Sequence, residues 1–237
     1  MKSQFVRTAM LIGEKKIEIL SAKTVAVFGL GGVGGNVVDA LARTGVGHFV
    51  LVDADRVAPS NINRQLIATW DTVGEDKVDA MARHVTAVNP SATVEKRKTF
   101  YLPENAGEFD FAAYDYVVDA IDTVSAKIDL AVRCQAAGTP LISAMGCGNK
   151  LDPTKLTVAD LYDTHTDPLA KVMRRELKRR GVTKLKVVYS TEPAATPLFA
   201  PEEGAPARRA TPASTVFVPP VAGIVIAREV VMDLLGR

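Results

Sequence analysis

The chain has 237 residues, of which 47% are hydrophobic and 24% charged, a composition typical of globular proteins and not of disordered, collagen-like or low-complexity ones. Its 29 Lys and Arg residues against 27 Asp and Glu residues give a net charge of only +2, so a polyanionic partner must be met by a local patch of charge. Two cysteines, Cys134 and Cys147, exclude a disulfide framework and a four-thiolate zinc site, and they favour a reducing cytosol.

The sequence also favours a protein without a membrane segment. The apolar run at 9–13 is too short for a signal peptide, and Glu14 follows it at once. The longest apolar stretch, at 216–227, contains two prolines and falls short of the roughly 20 residues that span a bilayer. We therefore expect a cytoplasmic protein.

Short apolar runs alternate with helical patterns through the first part of the chain. The helix after residue 72 is expected to begin at a capping box formed by Thr72 and Glu75. A strand, a crossover helix and a parallel strand within about 30 residues make a βαβ unit. The fold class predicted is α/β, a Rossmann-like, doubly wound and mostly parallel sheet. Strands are predicted at 24–28, 48–53, 93–95, 114–119 and 140–144, and helices at 33–45, 72–89 and 125–137.

The pattern changes after Gly146, which divides the chain into a core at 1–150 and an extension at 151–237. Asp167 and Pro168 are the expected N-cap and first residue of a basic helix. We expect the extension to add strands of mixed direction and to form one folded unit with the core. It is predicted to hold strands at 155–159 and 186–190, the basic helix at 168–180, a Pro- and Ala-rich loop at 191–214 and a helix at 220–235.

A glycine-rich loop joins the first predicted strand to the first predicted helix. Gly29, Gly31 and Gly34 fit the G-x-G-x-x-G pattern in the context that it requires. The glycines allow a tight turn, a close approach of backbone amides to phosphate, and close packing of helix on strand. Asp53, at the end of the second predicted strand, stands where a ribose-binding carboxylate belongs. The pattern predicts a nucleotide site but does not separate NAD from ATP.

The residues that follow Asp53 favour ATP. Arg64 and Lys77 place cations beyond the ribose, where a hydride-transferring site has little use for them. A nucleotide whose outer phosphates must be held does use them, because cations stabilise the charge that builds on a leaving pyrophosphate. The alternative is that both are solvated surface charges.

At this point the sequence resembles the ThiF/MoeB adenylating family, relatives of the ubiquitin-activating enzymes. The resemblance covers residues 5 to about 150, in the family's order. It implies that ATP activates a carboxylate: a carboxylate oxygen attacks the α-phosphate, pyrophosphate leaves, and a nucleophile then attacks the mixed anhydride. The matching segments are FVRT at 5–8, VFGLGGVG at 27–34, ARTGVG at 42–47, LVDAD at 51–55, SNINRQ at 60–65, VGEDK at 73–77 and VDAID at 118–122.

The resemblance assigns roles by position. It places Asp53 on the ribose hydroxyls, and Asn61, Arg64 and Lys77 on the triphosphate. It makes Asp122 the carboxylate that organises Mg²⁺, and Arg7 a residue that reaches the ATP site of a neighbouring subunit, so that a homodimer is required. The nucleotide-binding residues implied are Gly29, Gly31, Gly32, Gly34, Asp53, Asp55, Asn61, Arg64, Lys77 and Asp122, and the catalytic ones are Arg7, Arg64, Lys77 and Asp122.

Further segments are similar to the TcdA-type branch, the tRNA threonylcarbamoyladenosine dehydratases, over nearly the whole chain. They include RTAMLIG at 7–13, GCGNKLDPTKLTVAD at 146–160 and ASTVFVPPVAG at 213–223. This similarity implies that ATP activates the threonyl carboxylate of the modified adenosine beside the anticodon, and that the ureido group closes a ring with net loss of water. A monovalent cation and a sulfur-relay protein are open as assistants, and AMP and ADP are both open as products.

Three other functions are alternatives to this one. The first alternative is adenylation of the C-terminal glycine of a ubiquitin-like sulfur-carrier protein. Members of that kind often carry two C-x-x-C pairs that bind zinc, which two cysteines cannot supply. The smaller alternatives are a nucleotide-binding adaptor without activity and a nicotinamide oxidoreductase.

A tRNA substrate requires a phosphate-binding surface, and the basic helix offers one. Between Lys171 and Lys186 there are eight cations against one acid, Glu176. Such a patch adds salt-dependent affinity for a phosphate backbone. The alternative is a solvated basic face without a partner. The residues expected to contact tRNA are Arg174, Arg175, Lys178 and Arg179.

The remaining reactive side chains receive no firm role. Cys134 and Cys147 are expected to be buried packing residues. The histidines show no ligand spacing, and His84 is expected on the exposed side of its helix. Lys127 resembles a basic position that touches phosphate.

Overall fold

Two short helices precede the sheet in the computed structural model, which describes residues 3–199 and 212–236. They are α1 (Val6–Ile12) and α2 (Glu14–Ser21), and neither has a side-chain cap. The sequence does not predict these two helices, because helices this short carry little periodic pattern. A small buried apolar cluster around Phe5 stabilises both.

The rest of the described chain alternates strands and helices, in the order that the sequence predicts. The strands are β1 (Thr24–Phe28), β2 (His48–Val52), β3 (Thr93–Arg97), β4 (Tyr116–Asp119), β5 (Leu141–Ala144), β6 (Leu156–Asp160) and β7 (Lys186–Ser190). The helices are α3 (Gly34–Thr44), α4 (Lys77–Val88), α5 (Val124–Ala137), α6 (Pro168–Arg179) and α7 (Val218–Leu234). No helix in this part of the chain has both the length and the hydropathy needed to cross a membrane.

The strands form one seven-stranded sheet in the order β3-β2-β1-β4-β5-β7-β6. Every pairing is parallel except that of β6 with β7. The predicted fold class, a doubly wound and mostly parallel α/β sheet with a mixed extension, is therefore confirmed. The direction of winding changes between β1 and β4, and such a switch point leaves a crevice at the carboxyl ends of the strands.

Helices cover both faces of the sheet. On one face α3, α4 and α7 bury Leu41, Met81 and Ile226 against alternate residues of β1. The other face lies under α5 and α6 and contains an aromatic cluster around Phe28 and Tyr101. Each large apolar side chain that is fully buried in this way contributes about 1.5–3 kcal/mol.

Helix α4 begins later than the sequence predicts. The expected capping box at Thr72 is wrong: the Thr72 hydroxyl donates to the carbonyl oxygen of Ile67, 2.7 Å away, and belongs to a turn. Gly74 follows with a φ of 89° and donates its N–H to Val57. The chain therefore turns before the helix, which starts at Lys77.

The extension carries its predicted helices and strands. The Asp167 carboxylate accepts a hydrogen bond from the Ala170 N–H at 2.9 Å, which makes Asp167 the N-cap of α6 as expected. Of the predicted loop, residues 191–199 and 212–214 form neither helix nor strand. The remainder of that prediction, at 200–211, lies outside the described residues.

Candidate active site

A cleft of about 550 Å³ opens at the carboxyl ends of β1, β2 and β4. This is the switch point at which open α/β sheets bind ligands. The structure brings together here every predicted nucleotide-binding residue except Gly34, which lies beneath the loop. The lining residues among those predictions are Gly29, Gly31, Gly32, Asp53, Asp55, Asn61, Arg64, Lys77 and Asp122.

The glycines of the loop differ in what they make room for. A Cβ on Gly29, whose φ is 91°, would lie 2.6 Å from the Ala120 carbonyl oxygen, and one on Gly34 would lie 1.8 Å from the Gly29 carbonyl oxygen. The protein's own backbone therefore requires these two glycines. At Gly31 the nearest atom would be Gln65 Nε2, at 3.8 Å. The space beside Gly31 thus opens towards the cleft and suits a ligand.

Asp53 is held in place by backbone amides. One carboxylate oxygen accepts the Leu30 N–H at 2.7 Å, and the other accepts the Asp55 N–H at 2.8 Å. Burial raises the pKa of Asp53, although the nearby Lys77 acts in the opposite direction. Each oxygen keeps a further lone pair, so the carboxylate can still accept from two ribose hydroxyls.

The loop after β2 presents Asn61 and Arg64 to the cleft. Asn61 accepts the Ala58 N–H at 3.1 Å through its side-chain oxygen, which leaves its amide NH₂ for a ligand. The Arg64 guanidinium donates to the Ser60 carbonyl oxygen at 2.9 Å. Burial lowers the pKa of Arg64, but a guanidinium stays charged at neutral pH.

Lys77 supplies a second cation. Its side chain is 6% exposed, and its Nζ lies 2.8 Å from a carboxylate oxygen of Asp55. An ammonium has three donors, so the contact with Asp55 leaves two for phosphate oxygens. Arg64 and Lys77 thus place positive charge on the part of the cleft beyond Asp53.

The segment that carries Asp122 rests on a buried ion pair. Lys127 Nζ lies 2.9 Å from Asp119, and both side chains are fully buried. The same amine donates to the Ile121 carbonyl oxygen at 3.1 Å, and Ser143 donates to Asp119. Lys127 therefore does not reach the cleft, and the expectation that it touches phosphate is wrong.

The cleft is also lined by residues to which the sequence pattern assigns no role. Phe100, Tyr101 and Leu102 line one side, and Gln65 lies beside the glycine loop. In the sequence, the only sign of Phe100 and Tyr101 as lining residues is that two aromatic residues follow the predicted strand at 93–95. In the structure Phe100 is 60% exposed. Gln65 stands in the SNINRQ segment, next to a residue that was assigned a role.

Comparisons with known proteins bear directly on this site. Residues 5–236 match the ThiF family. The chain belongs to the ThiF family. It is 44% identical to the tRNA threonylcarbamoyladenosine dehydratase of Bacillus subtilis, over 99% of this chain and 96% of that protein. The enzyme of that name from Escherichia coli is 38% identical over 81% of this chain and 74% of its own length.

A solved structure gives the same result in three dimensions. The Escherichia coli tRNA N6-threonylcarbamoyladenosine dehydratase TcdA, in complex with ATP, superposes with a TM-score of 0.88 at 33% identity. The match covers 98% of this chain and 94% of that one. The resemblance to the TcdA-type branch of the ThiF family is confirmed.

Arg7 stands apart from the other predicted catalytic residues. It lies exposed on α1 and is not among the residues that line the cleft. The same helix exposes Met10 and Leu11, at 81% and 85%. Arg7 therefore does not line the cleft of its own chain, to which the other predicted catalytic residues belong.

The predicted tRNA-contacting residues lie on α6. Arg175 and Arg179 are exposed, with their guanidinium groups 3.0 and 3.4 Å from the Glu176 carboxylate. Lys178 is exposed beside them. The surface therefore carries less net charge than the number of cations indicates, because Glu176 pairs with its neighbours.

Two cationic side chains of the basic segment bond to other parts of the chain. Arg174 donates to the carbonyl oxygen of Thr164, 2.8 Å away, and to its hydroxyl. Lys186 lies on β7, where it pairs with Asp233 at 2.7 Å and with Glu229 at 3.3 Å. Neither side chain is fully available to a partner.

Both cysteines and His84 are partly or fully buried. Cys134 is buried as expected, whereas Cys147 is half-buried against the core. Burial raises the pKa of Cys134 to about 12 and that of Cys147 to about 11. His84 is half-buried and contacts Asp39 at 2.7 Å, so its expected exposed position is wrong. In the described ranges no group of three or more His, Cys, Asp or Glu side chains could hold a metal ion.

Proposed function

We propose that this protein is an ATP-dependent tRNA threonylcarbamoyladenosine dehydratase, which activates the threonyl carboxylate of the modified adenosine beside the anticodon. The observation that carries the proposal is the cleft itself, where an open glycine loop and Asp53 adjoin Arg64 and Lys77. The full-length similarity to dehydratases of that name supports the choice of substrate.

The protein is proposed to position ATP and to stabilise the negative charge that develops on the leaving pyrophosphate. Asp53 holds the ribose, and the glycine loop receives the phosphates at the N-terminus of α3. The threonyl carboxylate oxygen attacks the α-phosphate, and the bond to pyrophosphate breaks. Arg64 and Lys77 stabilise the charge that moves onto the leaving pyrophosphate. The product of this step is a mixed anhydride.

Ring closure follows without a protein nucleophile. The ureido nitrogen attacks the activated carbonyl, loses its proton and expels AMP. Together with the first step, this removes one water from the modified adenosine. Bringing the ureido nitrogen and the anhydride together on one site supplies much of the rate, because it makes the second step unimolecular.

Mg²⁺ is proposed to enter with ATP. Asp122 is an exposed carboxylate in the cleft, and carboxylates together with substrate phosphates are the usual Mg²⁺ ligands. With no cluster of three carboxylate, His or Cys ligands among the described residues, phosphate oxygens and water would complete the shell. A monovalent cation and a sulfur-relay partner stay open.

The tRNA is proposed to lie along α6. This helix begins beside Gly146, whose N–H donates to Asp167 at 3.1 Å, at the same edge of the sheet as the cleft. It ends near Gly181, which accepts a hydrogen bond from Gln135 at the far end of α5. The helix is about 18 Å long, so an anticodon stem that leads away from the cleft would pass Arg175 and Arg179.

A homodimer is proposed because Arg7 lies outside its own cleft. Exposed apolar side chains on α1 and on the first half of α7, which includes Val221 and Ile224, offer a surface for a second copy. Exposed apolar patches often mark interfaces between proteins. The second copy would carry its Arg7 to the cleft of the first.

The test is the exchange of labelled pyrophosphate into ATP. We expect exchange with tRNA that carries threonylcarbamoyladenosine and none with the same tRNA bearing plain adenosine, which has no carboxylate to activate. Exchange that requires a sulfur-carrier protein and ignores both tRNAs would overturn the proposal.

A further inference from the structure

Asn105 binds three residues of one wall of the cleft, the segment at 99–102. Its side-chain Oδ1 accepts the N–H of Leu102 at 2.9 Å. Its Nδ2 donates to the Phe100 carbonyl oxygen at 2.8 Å and to Thr99 Oγ1 at 3.2 Å. All three partners line the cleft, whereas Asn105 does not. Any effect of Asn105 on a ligand is therefore exerted through the wall.

One of these hydrogen bonds belongs to a local turn, and the other two do not. Asn105 lies in a short 3₁₀ helix at Pro103–Glu108, and its bond to the Leu102 N–H caps the first turn of that helix. The other two bonds run back to Thr99 and Phe100, which precede the helix. The helix does not need them, so their effect is to fix the wall.

Tyr101 anchors the same wall from the core side. Its buried ring lies 5.0 Å from the ring of Phe28, and its hydroxyl donates to Asp129 at 2.5 Å. Phe100 and Leu102, on either side of it in the sequence, are 60% and 39% exposed. The wall thus presents an aromatic ring and an aliphatic side chain at the cleft. Such a surface suits a flat, largely apolar group.

The order of the strands indicates which part of a nucleotide meets this wall. β1, β2 and β3 lie side by side, and they lead into the glycine loop, Asp53 and the segment at 99–102. The Asp53 N–H donates to the carbonyl oxygen of Arg97, the last residue of β3, 3.2 Å away. With the phosphates at the glycine loop and the ribose at Asp53, the base extends towards the end of β3. There Phe100 offers it a stacking surface.

We propose that Asn105 is a positioning residue that holds Phe100 against the purine base of ATP. The proposal rests on the proposed function only in taking ATP as the ligand. Asn105 fixes the main chain before and after the Phe100 side chain, through Thr99 and Leu102. The wall is therefore ordered before ATP binds, which lowers the entropic cost of binding the base.

The binding of ATP and of tripolyphosphate separates a contact with the base from a contact with the phosphates, because tripolyphosphate has no base. We expect Asn105→Ala and Phe100→Ala each to weaken ATP about fivefold or more, as the loss of base–aromatic stacking does. Both variants should bind tripolyphosphate within about twofold of the wild type, because stacking acts on the base alone. Calorimetric titration of the full chain measures all of these affinities.

The double variant tests whether Asn105 acts through Phe100. Combining Asn105→Ala with Phe100→Ala should weaken ATP little more than Phe100→Ala alone, because the two changes remove one shared contact. Gln135→Ala is the matched control. It removes a carboxamide that donates to the Gly181 carbonyl oxygen at the end of α5, and it should bind ATP like the wild type.

Asn105→Asp separates the wall from the turn. The carboxylate still accepts the Leu102 N–H and caps the 3₁₀ helix, but it has no hydrogen to donate to the Phe100 carbonyl oxygen. We expect this variant to stay folded and to lose affinity for ATP relative to tripolyphosphate. It keeps the test decisive if the alanine variant does not fold.

The proposal is overturned if Asn105→Ala binds ATP as the wild type does, or if ATP and tripolyphosphate weaken equally. It is also overturned if the losses of the two single variants multiply in the double variant. A wild type that binds ATP but does not convert tRNA would count against the proposed substrate and not against the role of Asn105.

Discussion

At the scale of single residues, the buried pair of Lys127 and Asp119 supports the site from behind. Asp119 ends β4, and its partner Lys127 also holds the carbonyl oxygen of Ile121. Asp122, the next residue, faces the cleft. The pair thereby fixes the backbone that presents Asp122 to the cleft.

We expect Lys127→Met to lower the free energy of unfolding by about 3–5 kcal/mol, because it leaves the Asp119 carboxylate buried without its cation. Lys23→Met is the matched control, since Lys23 pairs with Asp115 with both side chains 31% exposed, and it should cost less than about 1 kcal/mol. Urea unfolding of both variants measures the difference. Equal stability of the two would contradict the role given to the buried pair.

The roles of Asp53 and Lys77 are tested by ATP binding. Asp53→Ala removes the proposed ribose acceptor, and Lys77→Ala removes a proposed phosphate-binding cation, so each should weaken ATP binding by about 1.5–3 kcal/mol, measured by calorimetry. Lys96→Ala is the control, because Lys96 is an exposed lysine on β3 that pairs with Asp79. Tight binding of NADH without binding of ATP would refute the assignment of the cleft.

At the scale of elements, the sequence predicted most of the sheet because β1, β2, β4 and β5 are short apolar runs next to a glycine, proline or aspartate. The start of α4 was missed because Thr72 and Glu75 match a capping box in spacing alone, and Gly74 between them takes a φ of 89°. The position of Gln65 in the cleft was not predictable either. Its burial is a property of the packed structure.

The basic face of α6 gives a prediction about substrate class. Replacing Arg175, Lys178 and Arg179 by Ala should raise the KM for tRNA several-fold. It should also reduce the slope of the logarithm of the binding constant against the logarithm of salt concentration, by about one unit for each cation that no longer meets a phosphate. Arg174 is left in place, because it holds Thr164. ATP binding should be unchanged. Turnover of tRNA across a salt series is the measurement.

A matched control removes the same charge from the opposite face of the protein. Lys15→Ala, Lys16→Ala and Arg43→Ala, combined, change α2 and α3 and should leave the salt dependence of tRNA turnover as in the wild type. If both triple variants behaved alike, the effect would reflect net charge, and α6 would not be the tRNA surface.

At the scale of the whole molecule, the proposed homodimer predicts complementation. Arg7→Ala and Asp122→Ala should each be inactive alone, whereas their mixture should recover part of the activity. A heterodimer then contains one cleft with Asp122 intact and Arg7 supplied by the other chain. Sedimentation gives the oligomeric state in the same samples. A fully active monomer, or a mixture without activity, would contradict the arrangement.

The central claim, that this ThiF family protein closes a ring on threonylcarbamoyladenosine, is tested most directly by mass analysis of nucleosides. Purified protein is incubated with ATP and with tRNA that carries the modification, and the tRNA is then digested. We predict an ATP-dependent conversion of threonylcarbamoyladenosine to a nucleoside lighter by one water, and no conversion with the Lys77→Ala variant. Unchanged threonylcarbamoyladenosine, together with ATP-dependent adenylation of a sulfur carrier's terminal glycine, would contradict the claim.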